Sequence, residues 1–204
     1  SRTVVPSAPL NGGAFSFSGW VKSSNPYLNY NQIFDLGTGE KGDNVIIGFE
    51  ATTGQMYYCV FRGDTRACSI PSTSVFPTDQ WVLVQLVHRT DLTWKIYWNG
   101  IQEITGSFSL PAPNVKRTWY LGKSHWTLFQ HRMFQGFMKD VAFFNGEADI
   151  KTLPSYVHDS TKLYWVPDQV AIESCTSLGC STDTSNNNTL PPCIDSDSYV
   201  KDGV

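Results

Sequence analysis

Glu147-Ala-Asp149 is the nearest approach in this sequence to a pair of carboxylates that could break a bond. A retaining glycoside hydrolase holds two carboxyls about 5 Å apart, one as nucleophile and one as acid/base. On a strand, that chemistry takes Glu-x-Asp with a second Glu shortly after. Here Ile150-Lys151-Thr152 follows, and no second Glu stands there. The pair also falls in a loop or helix start, where an acidic side chain is a natural N-terminal charge. A serine hydrolase of the G-x-S-x-G type lacks its elbow. His88, His125, His131 and His158 are scattered, without the spacing of H-E-x-x-H. The residues that could do chemistry therefore point to a binding protein and not to an enzyme.

Binding leaves its own signals. Calcium takes six to eight hard oxygens, and Asp35, Glu40, Asp43 and Asn44 crowd one loop region, with Asp140 further on. Sugars need flat aromatic faces flanked by polar groups. Tyr27 and Tyr30 in one loop, and His125, Trp126 and Phe129 in another, are the candidates. Trp20, Trp81, Tyr97 and Trp98 are assigned to core or sheet packing.

Charge narrows the partner. The 204 residues carry a net charge of −3 and no basic block, which argues against nucleic acid. No run reaches the roughly 20 apolar residues of a membrane span. Five cysteines point to an oxidising compartment. Cys59 and Cys68 lie on adjacent runs joined by a short turn, so a cross-strand bridge is easy. Cys175, Cys180 and Cys193 crowd a polar tail that needs stapling. Five is odd, so one cysteine is left for an intermolecular bond or a partner. The sequon at Asn187 agrees with secretion. No leader stands at Ser1, so a secretion signal is expected upstream or already removed, and the ends leave room for a longer protein.

The elements that must carry these residues are strands. Trp81–Gly100 is the centre: Trp81, Leu83, Gln85 and Val87 alternate with Val82, Val84, Leu86 and His88, and Trp94, Ile96 and Trp98 alternate with Lys95 and Tyr97. Asn99-Gly100 suits a type I′ turn. Further runs at 14–22, 32–36, 43–51, 55–61, 67–70, 101–105, 117–122 and 134–145 recur about every ten residues. Ala148–Leu153 predicts one or two helical turns, stopped by Pro154. The pattern is all-β: an antiparallel two-sheet sandwich or jelly roll over 1–166 with an irregular, disulfide-stapled tail over 167–204.

The order of motifs is more specific. AFSFSGWVK, IFDLG, DNVIIGF, QWVLVQLVHR, WKIYWNG, WYLGKSHW and FQGFMKDVAFFNGEAD resemble the laminin-G-like jelly roll of the concanavalin A-like lectin/glucanase superfamily. Trp20, Trp81, Tyr97, Asn99, Gly100, Leu121, Gly122, Phe134, Gly136 and Asp140 hold the motif positions, across about residues 10–157. The histidine usual after the central Trp is displaced: position 83 is Leu, and the histidine is His88. The resemblance implies an extracellular module that binds a glycan or a protein without catalysis. It also implies a calcium ion at the sheet rim and favours Asp140 as ligand. The alternative is a structural subunit of an extracellular filament, sheath or surface hair, joined through the Cys-rich tail. A glycan hydrolase using Glu147 or Asp149 is the third reading.

Overall fold

A computed structural model describes residues 10, 12–28, 31–40, 42–126 and 133–150, with only the backbone of 163–165 and 170–172. The described residues form twelve strands: β1 (Phe15–Ser23), β2 (Asn31–Gly37), β3 (Val45–Phe49), β4 (Met56–Arg62), β5 (Thr65–Cys68), β6 (Val82–His88), β7 (Thr93–Trp98), β8 (Ile101–Ser107), β9 (Thr118–Leu121), β10 (Gly136–Asn145), β11 (Leu163–Trp165) and β12 (Val170–Ile172). They make two antiparallel sheets, the expected all-β sandwich. The larger runs β11-β10-β1-β6-β7-β8, and β12 pairs with β10 beside β11. The smaller runs β5-β4-β3-β2-β9. β12 lies within the segment expected to be tail. No helix occurs among the described residues, and Ala148 to Ile150, where a helical turn was expected, are irregular.

Alternation decides which side chains enter the core. Val82, Val84, Leu86 and His88 of β6 and Trp94, Ile96 and Trp98 of β7 are buried between the sheets. Phe34 of β2 meets Phe17 of β1 at 4.9 Å and Phe143 of β10 at 5.2 Å, edge to face. Each fully buried Phe contributes roughly 2 kcal/mol. Asn99 and Gly100 turn the chain with φ of 51° and 81°, as the type I′ expectation required.

His88 is also part of this interior. Its Nδ1 lies 2.7 Å from the Tyr58 hydroxyl, and its Nε2 lies 3.1 Å from the Phe108 carbonyl. Burial pushes its pKa down to about 4, although the carbonyl contact opposes that.

Strict alternation along β10 would place Phe137, Lys139 and Val141 on one side. Instead Asp140 and Val141 together face Gly19, with Asp140 at φ 50°. This β-bulge resets the alternation, so Met138, Val141 and Phe143 enter the core and Lys139 faces out. Of the four aromatics expected to pack in core or sheet, Trp98 does. Trp20, Trp81 and Tyr97 are partly buried, on the outer face of the larger sheet.

Candidate functional site

The two outer faces are built differently. Across the smaller sheet, register sets Tyr120, Asp35, Ile46, Cys59 and Cys68 side by side. Cys59 and Cys68 form the expected disulfide. Asp35 is wholly buried. Its Oδ1 accepts a hydrogen bond from Asn44 Nδ2 (2.7 Å), and its Oδ2 accepts one from the His125 backbone N–H (2.8 Å). His125 Nδ1 sits 3.1 Å from Asp35 Oδ1, at an angle too bent for a hydrogen bond. The imidazole stacks on Tyr120 at 4.2 Å. Trp126 leans on Phe61 at 5.2 Å and covers the small cluster of Ile46, Cys59 and Phe61.

These contacts locate most of the residues singled out from the sequence. Asp35 and Asn44 come together. Asp43 does not join them: its Oδ1 takes the Gly63 N–H at 3.0 Å and its carbonyl takes Arg117 Nε at 2.8 Å. Glu40 is exposed, and Asp140 belongs to the other sheet. Among the described residues, no group of three or more His, Cys, Asp or Glu could hold a metal ion. His125 and Trp126 share one region, but as packing and hydrogen-bonding groups. Tyr27 is 49% exposed and leans on the Gly54 turn, away from that pair in the fold's connectivity. Tyr30, Phe129, Cys175, Cys180, Cys193 and Asn187 lie outside the described residues.

The larger sheet has a concave site on its outer face. The segment after β10 folds back across β1 and β6. Ser16 Oγ donates to the Gly146 carbonyl (2.9 Å) and accepts from the Ala148 N–H (3.0 Å), while Gln85 Nε2 donates to the Ile150 carbonyl (3.4 Å). Between this segment and the sheet opens a cleft of about 310 Å³, lined by Val87, Arg89, Tyr97, Glu147, Ala148, Asp149 and Ile150. That volume is at the small end of ligand sites.

Glu147 is held in place by Thr90, whose N–H and hydroxyl both donate to Oε1, at 3.0 and 2.9 Å. Those bonds keep its carboxyl below the usual carboxylate range. Arg89 Nε stands 3.9 Å from Oε2. The cleft therefore offers a fixed carboxylate at Glu147, the Asp149 carboxylate, a guanidinium donor and part of the Tyr97 side chain. Such a set can bind a hydroxyl-bearing ligand with an apolar face. Sequence reasoning missed Arg89 and Tyr97 as site residues. The available signal was the outward phase of Tyr97 in its strand, together with the carboxylates at 147 and 149.

Residues 1–149 match the family model of the Concanavalin A-like lectin/glucanases superfamily. The chain belongs to that superfamily. No curated protein matches the sequence. Among solved structures it is similar to a Bacteroides ovatus ATCC 8483 protein provisionally described as carbohydrate binding, at 18% identity and TM-score 0.61, covering 80% of this chain and 47% of that one. It is similar to domain 4 of AbnA, a GH43 extracellular arabinanase from Geobacillus stearothermophilus in complex with arabinotriose, at 19% identity and TM-score 0.54, covering 67% and 63%. It is also similar to the CBM40 of the Ruminococcus gnavus IT-sialidase bound to α2,3 sialyllactose, at 13% identity and TM-score 0.56, covering 69% and 80%. At these identities the likeness is one of fold. The chain spans about half the length of the first of these structures and under two thirds of the second. Superfamily membership places the described sheets in an established lectin-like architecture, and it leaves the ligand to the chain's own residues.

Proposed function

We propose that this superfamily member is an extracellular, non-catalytic module that binds a carbohydrate on the outer face of its larger sheet. The observation that carries the reading is the Tyr97 cleft, a concave polar site lined by a tyrosine, a fixed carboxylate at Glu147, Asp149 and an arginine. Two of its structural neighbours are described as holding saccharides, which supports the ligand class. The Cys59–Cys68 bridge supports an oxidising, extracellular setting.

Glu147 also supports a role without catalysis. A glycosidase acid must hold its proton near neutral pH, which takes a raised pKa. The Thr90 bonds push Glu147 the other way. A glycan array tests the reading, run with wild-type protein and with Tyr97→Ala. Binding of at least one glycan class that the substitution weakens about tenfold is the expected result. Absence of binding to every glycan would overturn it. Calcium assistance is a separate arm of the same array: affinity that falls on adding chelator supports a cation, and unchanged affinity removes it from the proposal.

A further inference from the structure

We propose that the opposite end of the same outer face is a second subsite, one that takes an acidic sugar. This deepens the carbohydrate-binding reading and rests on it. On β1 and β10, register sets Lys22 opposite Phe137 and Trp20 opposite Lys139. On β1 and β6 it sets Trp20 opposite Leu83, with Val21 opposite Val82, so Trp81 falls beside Lys22. The Lys139 ammonium reaches across this group. It lies 6.0 Å from the centre of the Trp20 ring and 4.8 Å from that of Trp81.

The β10 bulge is what puts Lys139 there. Without the extra residue opposite Gly19, the alternation of β10 would run through unshifted. Phe137 extends the patch and is 40% exposed. Several large aromatic side chains gathered partly open at one place on a sheet mark an interaction surface more than a stability device. The ring area that Lys139 leaves free can meet the apolar face of a sugar, and an ammonium held by cation–π contact keeps N–H bonds for a carboxylate or sulfate. The outward rows of β1 and β10 contribute Lys22 and Lys139, with Asp140 following Lys139 in the bulge and Asp79 bonded through its N–H to the Ser23 carbonyl, and the two lysines make an anionic sugar the complementary occupant of the rows themselves. Along β6 the next outward residue after Leu83 is Gln85, which is buried and bonds the Ile150 carbonyl, so the returning segment separates this platform from the Tyr97 cleft.

Quenching of tryptophan fluorescence on titration tests the proposal. The probes are three polyanions (polygalacturonate, alginate and chondroitin sulfate) and two neutral polymers (galactan and mannan). At least one polyanion should bind tenfold or more tighter than either neutral polymer, and the margin should shrink at high salt. The alginate and chondroitin sulfate arms separate carboxylate from sulfate recognition. Lys139→Met should erase that margin, Lys22→Met should reduce it about threefold, and neither should alter binding of the neutral polymers. Equal affinity for anionic and neutral polymers, or a margin untouched by both lysine variants, would overturn the platform. Neutral binding that depends on Tyr97, with no anionic preference, sinks the platform alone. No binding of any polymer overturns the platform and the carbohydrate reading together.

Discussion

The two outer faces of this sandwich are made from similar materials and put to different uses. Each carries aromatic side chains, a buried or half-buried polar group, and a loop folded back over the strands. On the smaller sheet the loop brings His125 and Trp126 down onto Asp35, Tyr120 and Phe61, so the imidazole is buried and the Tyr120 and Trp126 rings each spend a contact on packing while staying partly exposed. On the larger sheet the returning segment is tied to Ser16 and Gln85. It arches beside Tyr97 instead of lying on it, so a cleft remains. Aromatic composition alone therefore does not mark a binding face. What marks it is whether the covering loop spends its contacts on those rings or on the strand beside them.

The largest effect should come from breaking the closed face. Asp35→Ala leaves the Asn44 amide and the His125 N–H buried without an acceptor. Unpaired buried donors cost about 1–3 kcal/mol each, so a loss of about 4 kcal/mol is expected in urea unfolding. Glycan affinity per folded molecule should stay unchanged. A loss of affinity with stability intact would reverse the assignment of the two faces.

Acid should act on the layer the two faces share. His88 titrates near 6.5 in the unfolded chain and about 4 when folded. Above pH 6.5 it is neutral in both states and costs nothing. As pH falls from 6.5 to 4, the unfolded chain takes up the proton first. Stability should drop by up to about 3 kcal/mol across that window and then level off. His88→Gln should flatten that part of the curve, as read by thermal melts from pH 4 to 7. A wild-type profile with no slope there would place the imidazole in contact with solvent.

How much of this was legible in the sequence follows from the range of each interaction. The Trp81–Gly100 hairpin could be read because its period-two pattern and its Asn-Gly turn are local. The Cys59–Cys68 bridge could be read because only a short turn separates the two runs. The bulge at Asp140 could not, since it appears only when β10 is laid against β1. That hidden residue is why Lys139 was not recognised beside Trp20 and Trp81. The Tyr97 cleft was hidden for a similar reason: Arg89 and Glu147 are 58 positions apart, and only the fold-back over Ser16 brings them together. His125 and Trp126 have the composition of a sugar site, and their contacts with Asp35, Tyr120 and Phe61 arise only once the smaller sheet is assembled. Superfamily motifs locate strands, and strands alone do not say which face a loop will cover.

The disulfide supports the closed face from its edge. Cys59 and Cys68 are separated by nine positions, and loop closure of that length stabilises by about 2.5 kcal/mol. The Cys59→Ala, Cys68→Ala double variant should lose that much in denaturant unfolding. Ligand affinity should hold, because neither cysteine borders the Tyr97 cleft. A double variant that stays equally stable but loses affinity would mean that the smaller sheet carries the ligand.

The smallest effect separates the faces most directly, because it pairs two aromatic truncations. Tyr97→Ala removes a partly buried ring from the open face. Its stability should fall by no more than about 1 kcal/mol, while glycan affinity falls about tenfold, or about 1.4 kcal/mol. Trp126→Ala removes a ring from the closed face, where it covers Phe61 and the disulfide cluster. There the order inverts: stability falls by about 1–2 kcal/mol, and affinity holds. Calorimetric titration and urea unfolding on both variants give four numbers, and the assignment requires them to cross. If both variants lose affinity alike, the ligand contacts both faces, and the closed face is a second binding surface instead of a cover.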